Sequence, residues 1–200
     1  MILSYTGAMY IPKQFKISDH AEARAFIQAN SFGQLISTVD GRLFSSHIPF
    51  LLDDTRESLL CHVAKANPQW QEIEKQEILV TFQGPHDYIS PSWYESAGVP
   101  TWNYQAVHVY GSARIIDNPS DLKALVESLT EAHESERPDP WQSEFKPQLL
   151  NAIVGIEIEI EELQCKYKLS QNRSAQERER ITKALLAEDS APLSRAMKKL

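Results

Sequence analysis

The chain has 200 residues, of which 42% are hydrophobic and 24% charged, a balance that suits one folded domain and excludes disorder along the whole length. Its formal net charge is −7, unevenly spread: residues 173–200 hold seven Lys/Arg against four Asp/Glu, a net of +3, which leaves −10 on residues 1–172. An acidic body of that kind excludes a broad nucleic-acid-binding surface.

In chain order, the first predicted element is a helix over Asp19–Ala29, with Asp19 as cap, Glu22 at the capping-box position, and Ala23, Phe26 and Ile27 on one face. Gln34–Val39 and Arg42–Phe50 then flank Asp40-Gly41, the pair that a two-residue hairpin of type I′ demands. A strand over Ser58–Ala64 follows. Asn67-Pro68 opens a helix to about Lys75, Asn67 capping and Pro68 in the first helical position. Ile78–Phe82 reads as a strand, and Tyr88–Tyr94 as another broken at Pro91. Val107, Val109, Gly111, Ala113 and Ile115 show period-2 alternation, the mark of a half-buried strand. Asn118-Pro119 opens a helix ending near Glu134, striped by Leu122, Leu125, Val126 and Leu129. Residues 135–147 form a loop. Ile156, Ile158 and Ile160 alternate with glutamates, predicting a strand with one wet face, and Ser174 with Glu177 caps a last helix to about Ala187. Short strands, tight turns and inserted helices predict a mainly β, α+β fold, an antiparallel barrel with helical cover.

Three segments carry candidate chemistry. His62 lies on a strand that ends at Ala64-Lys65, just before the Asn67 helix start; a lysine beside free backbone N–H groups makes a phosphate cradle. A solvated loop lysine and a simple cap are the competing reading. Phe82, Tyr88, Trp93, Tyr94, Trp102 and Tyr104 fall within 23 residues, interleaved with polar donors. That composition suits a planar heteroaromatic ligand, and equally a dimer interface or a rigid core. Lys166, Lys168 and Arg173 gather three cations in an acidic body, fit for an anion or for a charged strand end.

Other chemistries lack their signatures. The six histidines show no metal spacing, and no GxSxG, P-loop or GxGxxG motif is present. Cys61 and Cys165 lie in apolar runs and are expected as buried reduced thiols. No stretch reaches the roughly 18–20 apolar residues of a membrane helix. Met1–Phe15 lacks the layout of a signal peptide, so a cytoplasmic location is expected; Met9 is an alternative start.

MYIPKQF at Met9–Phe15, HVAKANPQW at His62–Trp70, FQGPHDYISPSWY at Phe82–Tyr94, VPTWNYQAVHVYG at Val99–Gly111 and KYKLSQNR at Lys166–Arg173 together resemble the PaiB-like family of FMN-binding negative transcriptional regulators. The resemblance implies an FMN-binding split β-barrel, related to pyridoxamine phosphate oxidase-like folds, over residues 9–173, with a C-terminal helix and tail over 174–200. It implies a homodimer with FMN as cofactor. By the same resemblance Lys65 and Asn67 with His62 hold the flavin phosphate, Ser46 and His47 line the flavin edge, and Trp102, Tyr104 and Gln105 border the ring. Lys168, Gln171 and Arg173 reach the cofactor from the final strand. Where the oxidases carry an arginine and a histidine for pyridoxal, this chain has Lys168 and Gln171 or Ser170, which argues against that oxidase activity. The implied function is a flavin-binding regulator. A flavin-dependent oxidoreductase acting on a small molecule is the alternative, and the −10 body argues against direct DNA binding.

Overall fold

The computed structural model describes residues 9–141 and 147–199. Its strands are β1 (Lys16–Ile17), β2 (Phe32–Val39), β3 (Arg42–Pro49), β4 (Leu51–Asp53), β5 (Ser58–Ala64), β6 (Glu77–Ile89), β7 (Thr101–Ile116) and β8 (Ile153–Lys168). Its α-helices are α1 (His20–Ala29), α2 (Pro119–Glu134), α3 (Pro147–Leu150), α4 (Ala175–Ala187) and α5 (Ala191–Lys198). The strands form one sheet in the order β3-β2-β6-β7-β8-β5-β4, with β1 paired to β8. The β2–β3, β2–β6, β4–β5, β5–β8 and β1–β8 pairs are antiparallel. This is the mainly β, α+β class that the sequence implies. The predicted alternative start and residues 142–146 of the predicted loop lie outside the described residues.

The hairpin forms as the turn chemistry dictates: Val39 pairs with Arg42, and Asp40 and Gly41 take φ of 51° and 73°. Asn118 caps α2 by accepting from the Ser120 N–H at 2.9 Å, and Ser174 with Glu177 completes a capping box on α4. Glu22, by contrast, closes no capping box. Its carboxylate accepts from the Tyr167 hydroxyl at 3.0 Å instead.

Three further expectations need correction. The helix predicted from Asn67 is two 3-10 turns, Pro68–Gln71 and Ile73–Lys75, because the Gln69 side chain is drawn fully inside and the chain must bend to bury Ile73. The two strands predicted on either side of Pro85 are one, β6, which ends at Ile89. The wet face predicted on β8 is dry at Glu157, which is 6% exposed, because β8 lies between β7 and β5 and their neighbours Arg114 and Ser58 engage its carboxylate. Helix α5, within the predicted tail, had no clear sequence signal beyond Pro192.

The chain groups into two compact units. One gathers, of the described residues, 9–23, Gln83–Val107 and 164–199. In it Ile181 and Leu185 of α4 and Leu193 and Met197 of α5 are buried, and the Ser194 hydroxyl donates to the Thr182 carbonyl at 3.0 Å. The other gathers Arg24–Phe82 together with 108–141 and 147–163. There Leu122, Leu125 and Leu129 of α2 pack with Ile116 and with Leu51, Leu60, Leu150 and Ile153; each fully buried aliphatic side chain contributes about 1.5–3 kcal/mol. Cys61 and Cys165 are buried and unbridged, and burial pushes the Cys165 thiol up to about 12, so neither is a ready nucleophile.

Candidate functional site

The eleven residues implied by the resemblance fall into two sets, one in each unit. The first comprises Ser46 and His47 on β3, His62 on β5, and Lys65 and Asn67 just after it. A buried amide organises this set. Gln69, with no exposed surface, donates from Nε2 to the Ser37 hydroxyl at 2.9 Å and the Leu35 carbonyl at 3.1 Å, and its Oε1 accepts from the Ser46 hydroxyl at 2.5 Å. Asn67 donates from Nδ2 to Ser46 Oγ at 2.8 Å and accepts from the Gln69 N–H at 3.0 Å. Ser46 and Asn67 thus meet directly.

Lys65 is held by its backbone. Its N–H donates to the Ala152 carbonyl at 2.8 Å, and its carbonyl accepts from Trp70 Nε1 at 3.0 Å. Its ammonium is exposed and forms no ion pair among the described residues. A single 3-10 turn supplies no helix of useful length behind it, so the positive charge this loop offers a phosphate is that of Lys65. His47 is exposed and stacks on Phe32 with centroids 6.4 Å apart. His62 is half-buried, opposite Gly155 on β8, and burial lowers its pKa.

The second set comprises Trp102, Tyr104 and Gln105 on β7, Lys168 at the end of β8, and Gln171 and Arg173 beyond it. Strand alternation puts Trp102 and Tyr104 on one face and Gln105 on the other, beside buried Asn103 and Val107. Trp102 is 53% exposed and is flanked by the His86 ring at 6.4 Å and the Tyr88 ring at 6.2 Å. Lys168 Nζ donates to the Trp102 carbonyl at 2.6 Å and to the Thr101 hydroxyl; burial, with Lys166 adding to it, lowers its pKa.

The turn after β8 commits the remaining two. Gln171 accepts from the Leu169 N–H at 2.7 Å and donates to the Tyr167 carbonyl at 2.5 Å, bracing a bend in which Ser170 takes φ of 63°. Arg173 lies over the Tyr94 ring at 4.1 Å, donates to Ser96 Oγ at 3.1 Å and sits 3.8 Å from the Glu177 carboxylate. Gln171 thus spends both ends of its amide on this turn, whereas Arg173 keeps spare guanidinium N–H donors.

Sequence reasoning undervalued Lys166. It is 7% exposed, its Nζ donates to the Tyr10 carbonyl at 2.8 Å, and it lies 5.6 Å and 5.3 Å from the Tyr10 and Tyr104 ring centroids. No carboxylate pairs with Lys166 or Lys168 among the described residues. Two ammoniums on one strand face, one buried and one half-buried, with no counter-charge among the described residues, gain from an anionic neighbour. The period-2 spacing Lys166–Lys168 was the available signal. Gln69 carried none, since a glutamine in a predicted exposed helix gives no hint of full burial.

Residues 9–162 match the family model described as "Putative FMN-binding domain". The chain is 43% identical over 175 residues to the protease synthase and sporulation protein PAI 2 of Bacillus subtilis (strain 168), covering 83% of this chain and 84% of that protein. It is 34% identical over 218 positions to protein AN0679 of Emericella nidulans, covering 81% and 86% respectively. Among solved structures it resembles the flavocytochrome Anf3 from Azotobacter vinelandii, with a TM-score of 0.62 and 18% identity over 79% of this chain and 72% of that one. It likewise resembles the FAD- and heme-binding protein from Mycobacterium smegmatis, with a TM-score of 0.64 and 12% identity over 82% and 78%. At those identities the structural likeness is one of fold. The chain belongs to the FMN-binding-domain family, the PaiB-like family its motifs resemble.

Among the described residues no helix is long and apolar enough to cross a membrane, and no group of three His, Cys, Asp or Glu is placed to hold a metal ion.

Proposed function

We propose that this protein binds FMN on a split-barrel scaffold, as a homodimer, and acts as a flavin-dependent regulator. The observation that carries the reading is the unneutralised pair Lys166 and Lys168 behind the exposed Trp102 face. A planar ligand that carries negative character along one edge satisfies both features at once, and an isoalloxazine ring is such a ligand. When bound, it supplies reversible hydride and electron transfer.

This chain's own residues have separate tasks. Lys65 offers a free cation to the phosphate, and the Gln69 network holds Ser46 and Asn67 in place beside it. His47 and Ser46 border the ring edge from β3. In the other unit, Trp102 and Tyr104 offer a flat apolar face, and Lys166 and Lys168 offer two cations to an anionic ligand edge. Gln171 and Arg173 brace the turn and the 94–96 loop that support that face.

The regulatory part rests on kinship with the sporulation protein of Bacillus subtilis. Direct operator contact is disfavoured by charge: Arg180 pairs with Glu95 and Lys183 with Glu179 at 2.8 Å, so α4 presents little net positive field. Regulation would run through a small molecule or a protein partner. Light scattering should give twice the chain mass at low micromolar concentration, and the purified protein should show visible flavin bands or acquire them with added FMN. A colourless protein that takes up no FMN contradicts the reading.

A further inference from the structure

A second polar site lies on the neighbouring strands β7, β8 and β5, and none of the eleven residues above belongs to it. It is a cleft of about 150 Å³ lined by Arg56, Ser58, Ser112, Arg114, Glu157 and Glu159. Glu157 is its fixed centre. The Ser58 hydroxyl donates to its Oε1 at 3.1 Å, and its Oε2 takes the Arg114 guanidinium and, at 3.8 Å, that of Arg56. One buried carboxylate therefore holds two guanidiniums side by side, each about three-fifths exposed, with most of their five N–H donors unused. Adjacent forks with spare donors suit a second carboxylate.

The rim has the opposite sign. Glu159 is exposed, stands directly opposite Ser58 in the ladder, and has no ion-pair partner among the described residues. Asp53 lies 3.6 Å from Arg56. The two arginines and two glutamates of the lining sum to zero, so a plain anion gains little and meets repulsion at Glu159. Fixed charges of both signs match a ligand that carries both. The cleft, about 150 Å³ and open to solvent on one side, has room for a small amino acid.

We propose that this cleft binds a small free amino acid, its carboxylate on Arg56 and Arg114 and its ammonium against Glu159, with the Ser112 hydroxyl beside it. The site is independent of flavin binding. L-alanine is titrated calorimetrically against the full chain, alongside acetate and methylammonium. Alanine is expected to bind with a Kd of about 1 mM or below, roughly tenfold tighter than either half-ligand. Glu159→Gln and Arg56→Gln alter exposed side chains and should leave folding intact, yet each should weaken alanine about tenfold. Circular dichroism confirms that both variants are folded. No alanine binding up to about 50 mM, acetate binding as tightly as alanine, or unchanged affinity in both variants would each overturn the proposal.

Discussion

Replacing Gln69 by methionine separates hydrogen bonding from packing, because methionine keeps most of the volume and loses every polar contact. The wild-type amide is wholly buried and serves the Ser37 hydroxyl, the Leu35 carbonyl and the Ser46 hydroxyl. Ser37 and Leu35 are buried and find no water when the amide is gone, whereas half-buried Ser46 can turn outward. Two orphaned buried groups at about 1–3 kcal/mol each give a loss near 3–4 kcal/mol. With a urea slope of about 2–3 kcal/mol/M, the unfolding midpoint should fall by about 1–2 M. Chemical denaturation followed by tryptophan fluorescence measures this directly. Because Ser46 loses its acceptor and Asn67 donates to Ser46, FMN affinity should fall as well, by about tenfold, although Asn67 keeps its bond to the backbone N–H of residue 69. A midpoint within about 0.3 M of wild type would show that the network is not what holds this turn, and the reasoning would fail.

Lys65→Ala should leave stability within about 0.5 kcal/mol, since only the side chain of an exposed, backbone-anchored residue is lost, yet weaken FMN about tenfold in a fluorescence titration. His62→Gln should flatten the pH dependence of stability. Burial lowers the pKa of folded His62, so below its ordinary value near 6.5 the unfolded chain binds the extra proton and wild-type stability falls as pH falls. Urea midpoints at about pH 7.5, 6.0 and 5.0 should converge in the variant, and identical slopes would count against the assignment. Gly111→Ala should cost about 3 kcal/mol or more, because the new Cβ would sit 1.8 Å from the Glu159 carbonyl oxygen, a backbone atom that cannot move aside; a thermal melt near that of wild type would show that β7 and β8 can separate there.

Local rules succeeded where chemistry and conformation are tied within a few residues. Asp40-Gly41 needs positive φ, Asn118-Pro119 starts a helix, and Ser174 with Glu177 caps one; each appears as its residues demand. Local rules failed where tertiary contacts override them. The predicted Ile78–Phe82 strand and the start of the predicted Tyr88–Tyr94 strand run together as β6, and Asn67-Pro68 opened 3-10 turns rather than a helix because Gln69 and Ile73 are drawn into the interior. Alternation on β8 made Glu157 look solvated, since sequence does not show that Arg114, 43 positions away, would meet its carboxylate. The candidate site was legible as a set of residue types. What sequence could not display was their employment: Gln171 and Arg173 brace a turn, while Lys166, half concealed in an apolar strand, lacks a counter-charge.

The most direct test of the account is a titration of FMN fluorescence against the wild-type protein and the double variant Lys166→Met, Lys168→Met. Two charge-assisted contacts at about 1.5–3 kcal/mol each predict a loss of at least a hundredfold. Wild type should bind one FMN per chain with micromolar affinity or better. The double variant should remain folded by circular dichroism, because methionine fills the space beside the Tyr10 and Tyr104 rings without a buried charge. Absence of FMN binding by the wild type, or equal affinity in the folded double variant, would contradict the claim that these two lysines await an anionic flavin.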